Sequence, residues 1–258
     1  MKFIKCDFTN TCVFGDVHSS LENLKNILFL LDKDSRKKVI SIGDIWDRGT
    51  EPNEVVDIIY NLFTKGNFIP IVGNHESKFI RYLTDSKTVS MGSQQIATLS
   101  LLTDDSKRKF LEIYAEEIVC AYDPIMKIFI THGPGGRPYR ILYKNYEAHR
   151  VVIGGQPSIS FEDFLLLDSH MVAKKHIATL LYGITNGDKN SEGFPIRMPI
   201  AKSSTDDLEG WKYIYGHTHS NAFHPDGNVN LICLDFCSPI GKIGGCIITS
   251  HDDITLIV

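Results

Sequence analysis

Lys38-Val39-Ile40-Ser41-Ile42-Gly43-Asp44-Ile45-Trp46-Asp47-Arg48-Gly49 joins an apolar run of strand length to a glycine, two acids and an arginine. The β-branched residues favour a strand, the glycine ends it, and the charged groups fall just past its carboxyl end. The same pattern occurs on either side. Thr11-Cys12-Val13-Phe14 leads into Gly15-Asp16-Val17-His18, and Phe68-Ile69-Pro70-Ile71-Val72 leads into Gly73-Asn74-His75-Glu76. Between them, residues 21–28 and 52–59 place apolar side chains at helical spacing. Strand, helix, strand, helix, strand predicts parallel pairing with right-handed crossovers. In open sheets of that kind ligands gather beyond the carboxyl ends of the strands, where the Asp, Asn and His residues lie.

Further along, residues 76–119 read as helical, with Asp104-Asp105-Ser106 starting a helix before Lys107 to Glu117. Ile118 to Thr131 reads as a hairpin around Asp123-Pro124 that delivers His132, within Thr131-His132-Gly133, at the end of its second strand. Residues 137–205 contain a predicted helix from about Phe161 to Tyr182, then a loop rich in Gly, Asn, Ser and Pro from Gly183 to Ser204. This segment reads as an insertion over the site, because His132 and His217 flank it and must converge. Strands return at Tyr213-Ile214-Tyr215, Val229 to Asp235, Gly245 to Thr249 and Ile254 to Val258, with Gly216-His217-Thr218-His219 after the first.

The whole chain sets wide bounds. Its 258 residues suffice for one large domain with a substantial core. A formal charge of −4 gives no global attraction to nucleic acid or to an anionic membrane. The first residues lack the apolar core of a signal peptide, and no run approaches the ~18 apolar residues of a membrane span. A cytoplasmic location is expected. Six cysteines show no paired CxxC spacing, and Cys233-x3-Cys237 has no second half, so reduced, mostly buried thiols are expected rather than a zinc site.

The five motifs together supply oxygen and imidazole ligands without thiolate, which suits Mn, Fe or Zn better than Ca. Asp16 and His18, one residue apart on an extended segment, would point to the same side and chelate one ion. Asp44 would bridge two ions. Asn74, His132 and His217 would complete the second shell, and His219 would return to the first. Two ions roughly 3.5–4 Å apart would share a water, lower its pKa and clamp phosphate oxygens. His75 would protonate the leaving oxygen, with Asp47 accepting from it and fixing its tautomer. Arg48 is a candidate fork for two phosphate oxygens, with Asn74 and His75 beside it in the phosphate-binding set.

The order GDxH, GDxxDRG, GNHE, H, GHxH resembles the calcineurin-like metallophosphoesterase superfamily. Gly43 to Gly49 and Gly73 to Glu76 are similar to its phosphoprotein phosphatase branch, and Leu234-Asp235-Phe236-Cys237-Ser238 followed by Gly244-Gly245 to that branch's closing strands. The resemblance implies an α/β (α+β) fold: a central β-sandwich flanked by helices, with the partly helical insertion over the active site, all in one domain from 1 to 258. It implies Asp16, His18 and Asp44 on one metal, Asp44, Asn74, His132 and His217 on the other, Asp47 and His75 as an acid pair, and Arg48 on phosphate. Ser19 stands where the branch usually has glycine, Trp46 replaces a small apolar residue, and His219 is present as in the wider superfamily.

A serine/threonine-type phosphomonoesterase acting on a phosphorylated protein or small phosphoester is the leading expectation. A nucleotide or dinucleoside polyphosphate hydrolase, or a phosphodiesterase on nucleic-acid ends, is the alternative. A decayed binding module would lack ligands, and none is missing. Arg137, Arg140, Arg150 and Arg197 are candidates for a second phosphate-binding arginine. His149 and His170 read as structural or surface residues, and the aromatic stretch 138–146 as packing for the insertion.

Overall fold

In the computed structural model the description covers residues 1–31, 38–85, 89–133, 174–182, 185–189, 195–197, 210–218, 222–224, 229–236 and 242–258. The three apolar runs with which the sequence opens form β2 (Thr11–Phe14), β3 (Lys38–Ser41) and β4 (Phe68–Pro70), paired in parallel. Their crossovers carry α1 (Leu21–Leu31) and α2 (Pro52–Thr64), the latter with proline in its first turn, where its missing N–H costs nothing. The strands pair as the local pattern predicts, but they are not the whole sheet. On the far side of β2 lies β11 (Gly245–Ile248), antiparallel to it, and then β12 (Ile254–Ile257), antiparallel to β11, giving the order β12-β11-β2-β3-β4.

A second five-stranded sheet runs β1-β5-β6-β9-β10. It contains β1 (Lys2–Lys5), β5 (Ile118–Asp123), β6 (Ile128–Thr131), β9 (Lys212–Tyr215) and β10 (Leu231–Cys233). Side chains alternate between two apolar layers. Val13, Ile40, Ala121, Ile130, Ile214 and Ile232 share the cluster between the sheets. Cys12, Phe14, Cys120, Tyr122, Phe129 and Tyr213 belong to the outer cluster, with α1, α2 and the other helices. Both faces of these strands are therefore buried, which explains why they read as continuous apolar runs. The architecture is the helix-flanked sandwich implied by the resemblance, with a short bridge from Ile71 to Ile118 joining the sheets near the end of β4.

Four local expectations are corrected. The region 76–119 divides into α3 (Asn74–Thr84), α4 (Ser93–Leu101) and α5 (Asp104–Ile113), and its last two residues open β5. Thr103 caps the start of α5, its hydroxyl oxygen accepting from the Ser106 amide, and the helix ends at Ile113 rather than Glu117, where the backbone turns left-handed at φ 46° ahead of β5. β1 was not anticipated, because only Phe3 of its four residues is buried. The supposed loop from Gly183 contains the strands of a small hairpin, β7 (Thr185–Lys189) and β8 (Pro195–Arg197), whose composition carries little strand signal. Of the predicted insertion helix, α6 (Lys174–Tyr182) is described. His149, His170, Arg137, Arg140, Arg150, the aromatic stretch 138–146, and most of the insertion lie outside the described residues, as do Cys237 and His219.

Candidate metal centre

The ends of β2, β3, β4, β6 and β9 bring the candidate ligands into one buried cluster. Asp16, His18 and Asp44 place their ligand atoms within 4.8 Å of one another, and so do Asp44, His132 and His217. Asp44 is common to both groups. Asn74 joins the second, its Oδ1 standing 2.9 Å from His132 Nε2, which lies 3.0 Å from His217 Nδ1.

His18 does not reach Asp16 as an extended segment would bring it. Its φ is 50° and that of Ser19 is 54°, so the chain turns through the left-handed region directly after the motif. His18 is presented by that turn, held by amides of Val17 and His18 that both donate to the Asp44 carbonyl. Ser19, where glycine is usual in the resembling branch, pays the side-chain penalty of that conformation, and its buried hydroxyl has no hydrogen-bond partner among the described residues. Ser19→Gly is expected to stabilise the protein by roughly 0.5–1 kcal/mol, the relief of strain and of a buried hydroxyl outweighing glycine's extra chain entropy. A urea-unfolding midpoint that falls instead would refute this account of the turn.

Of the nine non-glycine residues with positive φ among the described residues, six lie here: His18, Ser19, Asp44, Asp47, Arg48 and His217. Such strain persists only where surrounding contacts over-determine it. Glu76 supplies those contacts. Its fully buried carboxylate accepts from the amides of Asp44 (2.8 Å), Gly73 (2.9 Å), Ile45 (2.9 Å) and Trp46 (3.4 Å). Gly73 is required by close approach, since a Cβ there would stand 2.3 Å from Asp44 Oδ1. Trp46, unusual for the branch, fills the core behind this loop against Phe110 and Tyr114.

The donor set fits cations. His132 Nδ1 lies 2.9 Å from the Ile42 carbonyl, which only accepts, so the ring commits its N–H there. The other ring nitrogen, Nε2, faces Asn74 Oδ1 and Asp44 Oδ2, at 2.9 and 3.4 Å. Acceptors converging in this way suit a positive charge among them, whether a proton on Nε2 or a bound cation. Electrostatics agree. Burial raises the Asp16 carboxyl well above the ordinary range, and the neighbouring Asp235 and Asp44 charges raise it further. Burial would also raise Asp44, but the imidazoles of His132 and His75 outweigh it and hold it low. Burial pushes His18 down to about 4, which keeps its ring neutral and available as a ligand. Among the described residues Asp44 pairs only with histidines, and no buried Lys or Arg neutralises it.

Beside this cluster, His75 Nδ1 lies 2.7 Å from Asp47 Oδ2 while its Nε2 points toward Asp44 Oδ2, at 3.7 Å. Burial lowers His75, but the Asp44 charge and the Asp47 hydrogen bond reverse the effect and leave it raised. The His75 amide, at the N-terminus of α3, donates to Asp44 Oδ1. Arg48 is exposed at the rim, near enough that its charge opposes protonation of both His18 and His75. The His132 end of the site is tied to α6, for the Gly133 amide donates to the Leu180 carbonyl and Tyr182 meets the His217 ring edge-on.

The structure brings Asp16, His18, Asp44, Asp47, Asn74, His75, His132 and His217 together, with Arg48 exposed beside them, while nothing brings Arg197, in β8, to them. Glu76, Thr98 and Asp235 were missed as site residues. Glu76 was visible in its motif, three residues past the helix-capping glycine, a spacing at which a glutamate folds back onto backbone amides. Thr98 gave no signal, its partner Asp47 being fifty-one residues away.

The calcineurin-like phosphoesterase family matches residues 9–221. A bis(5'-nucleosyl)-tetraphosphatase PrpE (asymmetrical) from Oceanobacillus iheyensis is 25% identical over 224 residues, 80% of this chain and 76% of the relative. The protein of the same name from Halalkalibacterium halodurans is 25% identical over 240 residues, 86% and 85% of the two chains. Among solved structures, a serine/threonine phosphatase from Saccharomyces cerevisiae superposes with a TM-score of 0.58 at 16% identity, covering 100% of this chain and 82% of that one. A cold-active protein-tyrosine phosphatase of a Shewanella species does so with a TM-score of 0.54 at 17% identity and the same coverage.

Proposed function

The chain belongs to the calcineurin-like phosphoesterase family, and from that membership we propose that it removes a terminal phosphate from its substrate at a two-metal centre. The observation that carries this reading is the orientation of His75, anchored at Nδ1 by Asp47 and turned at Nε2 toward the carboxylate shared by both ligand groups. Asp16, His18 and Asp44 would hold one ion, and Asp44, Asn74, His132 and His217 the other, with His219 a further proposed ligand of the first. When bound, the ions supply an acidified water and neutralise phosphate oxygens. Mn is the ion first proposed, with Fe and Zn as alternatives for the same donors.

The chain's own groups do the rest. Arg48 and the Asn74 amide orient the phosphate from the open side. His75 gives the proton on its Nε2 to the departing oxygen, and Asp47, accepting from Nδ1–H, orients the ring and favours the imidazolium that carries this second proton. Five of the six cysteines lie within the described residues as free thiols, which agrees with the proposed cytoplasmic setting. No helix among the described residues is long and apolar enough to cross a membrane.

A second reading, hydrolysis of dinucleoside polyphosphates, is favoured by the relatives named above, which align over most of both chains. The two readings share the metal site and differ in the leaving group, a protein or small-molecule alcohol against a nucleotide. Initial rates with Mn on a phosphoserine peptide, p-nitrophenyl phosphate, bis-p-nitrophenyl phosphate and diadenosine tetraphosphate separate them. A monoester preference supports the phosphatase reading, and a kcat/KM highest on the tetraphosphate supports the second. A preference for the diester removes both.

His75→Asn is expected to slow the phosphoserine peptide about 10²–10³-fold and p-nitrophenyl phosphate much less, because help from an acid grows with the basicity of the leaving oxygen. Equal losses on the two substrates would remove His75 from the acid role.

A further inference from the structure

We propose that Thr98, on α4, is a positioning residue that locks the Asp47 carboxylate so that it presents one oxygen to His75. The proposal rests on the acid role of His75 given above. Thr98 is buried, and its hydroxyl donates to Asp47 Oδ1 at 3.0 Å. The same oxygen accepts from the Arg48 amide at 2.8 Å. With both contacts on Oδ1, the carboxylate cannot rotate freely, and Oδ2 faces His75 Nδ1 at 2.7 Å.

The hydroxyl departs from the back-bonding seen at three other helical hydroxyls among the described residues. A helical Ser or Thr ordinarily turns its O–H back onto the carbonyl of the preceding turn. Thr64, Thr84 and Ser100 do so, bonding Asn61, Ile80 and Ala97. Thr98 sits on the same helix as Ser100, yet it reaches across to a different element. Helix α4 is also pinned next to the loop it serves. The Asn53 side chain at the start of α2 donates to the Leu101 carbonyl at 2.9 Å and accepts from the Thr103 amide at 3.0 Å. The chain that leads out of the Asp47 loop thus clamps the far end of the helix that carries Thr98. Asp47 itself has a φ of 82°, a backbone conformation that persists where surrounding contacts hold it.

The test compares wild type, Thr98→Val, which is nearly isosteric and removes the hydroxyl, and Thr98→Ser, which restores it. Thr98→Ala repeats the deletion should the valine variant fold poorly. With Mn, Thr98→Val is expected to slow hydrolysis of a phosphoserine peptide about tenfold and p-nitrophenyl phosphate less than twofold, with metal content unchanged and Thr98→Ser near wild type. A second readout needs no turnover: the ring ¹⁵N–¹H signal of His75, assigned with His75→Asn, in the full chain without added metal. Loss of the Thr98 hydroxyl is expected to move that signal, and serine to return it. Equal slowing on both substrates, no slowing on either, or an unmoved His75 signal would overturn the proposal. Should wild type hydrolyse neither ester, the proposed phosphatase activity fails, and the His75 signal decides the role of Thr98.

Discussion

Asp44→Asn is expected to lower kcat on p-nitrophenyl phosphate by about 10³-fold or more, and to remove most of the rise in Tm that wild type shows on adding Mn. Asp44 is the only residue common to both ligand groups, so one substitution strikes both ion sites. Asparagine keeps the shape and one oxygen but loses the charge and half the bridging capacity. A loss of about 4 kcal/mol of transition-state stabilisation corresponds to roughly 10³ in rate. Cation binding to the folded chain alone raises stability by RT ln(1 + [L]/Kd), about 2.7 kcal/mol at a hundredfold excess over Kd. That increment is what the variant forfeits. The amide still accepts from the His75 amide through its oxygen, so the N-terminus of α3 keeps its place and the metal-free Tm changes little. Wild-type turnover with an unchanged Mn response would remove the shared-ligand assignment. A large fall in the metal-free Tm would mean that Asp44 is chiefly structural.

The clustering of the candidate ligands was legible in the sequence because each described member sits just past a strand end, and strand ends follow from local apolar runs. The sandwich was not legible from the same runs. Val13 and Cys12 face different layers, but both layers are apolar, so residues 11–14 read alike whether one sheet or two lie against them. The resemblance supplied what the periodicity did not. The convergence of Asp16 and His18 was anticipated with the wrong geometry, for strand alternation was assumed where β2 has already ended and the backbone has turned left-handed. Backbone sign is set there by contacts from Asp44 and Gly49, remote in sequence. Thr98 was hidden for a related reason. A threonine in a helix has an ordinary local partner available, and nothing in residues 93–101 says that it will decline it.

The concentration of left-handed residues beside the candidate ligands makes the loop 43–49 costly to hold, at roughly 1–2 kcal/mol for each non-glycine residue in that conformation. Asp44, Asp47 and Arg48 are three of them, and Gly43, with φ at 101°, takes the position that no side chain would tolerate. Glu76 gathers the largest set of contacts that oppose the strain, beside the backbone bonds from Val17, His18 and Ser19. Glu76 draws in the amides of Asp44, Ile45 and Trp46 from the loop and Gly73 from its own helix, so it ties β3's exit to α3's entrance. Burial and the Asp44 charge push its carboxyl up to about 7, so even this anchor is held against an electrostatic cost.

Glu76→Gln is therefore expected to cost about 3–5 kcal/mol, the range for removing one partner of a buried charged network. Glutamine retains one acceptor oxygen and turns an NH2 toward amides that have only protons to offer, leaving donors buried without acceptors. At 2–4 °C per kcal/mol for a domain of this size, Tm should fall by about 10 °C. The effect should extend to function without any contact to substrate, since a loosened loop moves Asp44, Asp47 and Arg48 together. Mn affinity and kcat on p-nitrophenyl phosphate should then fall in step, and saturating Mn should recover part of both by favouring the ordered loop. Glu76→Ala, which brings no opposing NH2 but leaves all four amides unmet, separates repulsion from loss of acceptors. A Tm within 2 °C of wild type for both variants would show that the strained loop is held by its own packing around Trp46 and not by Glu76.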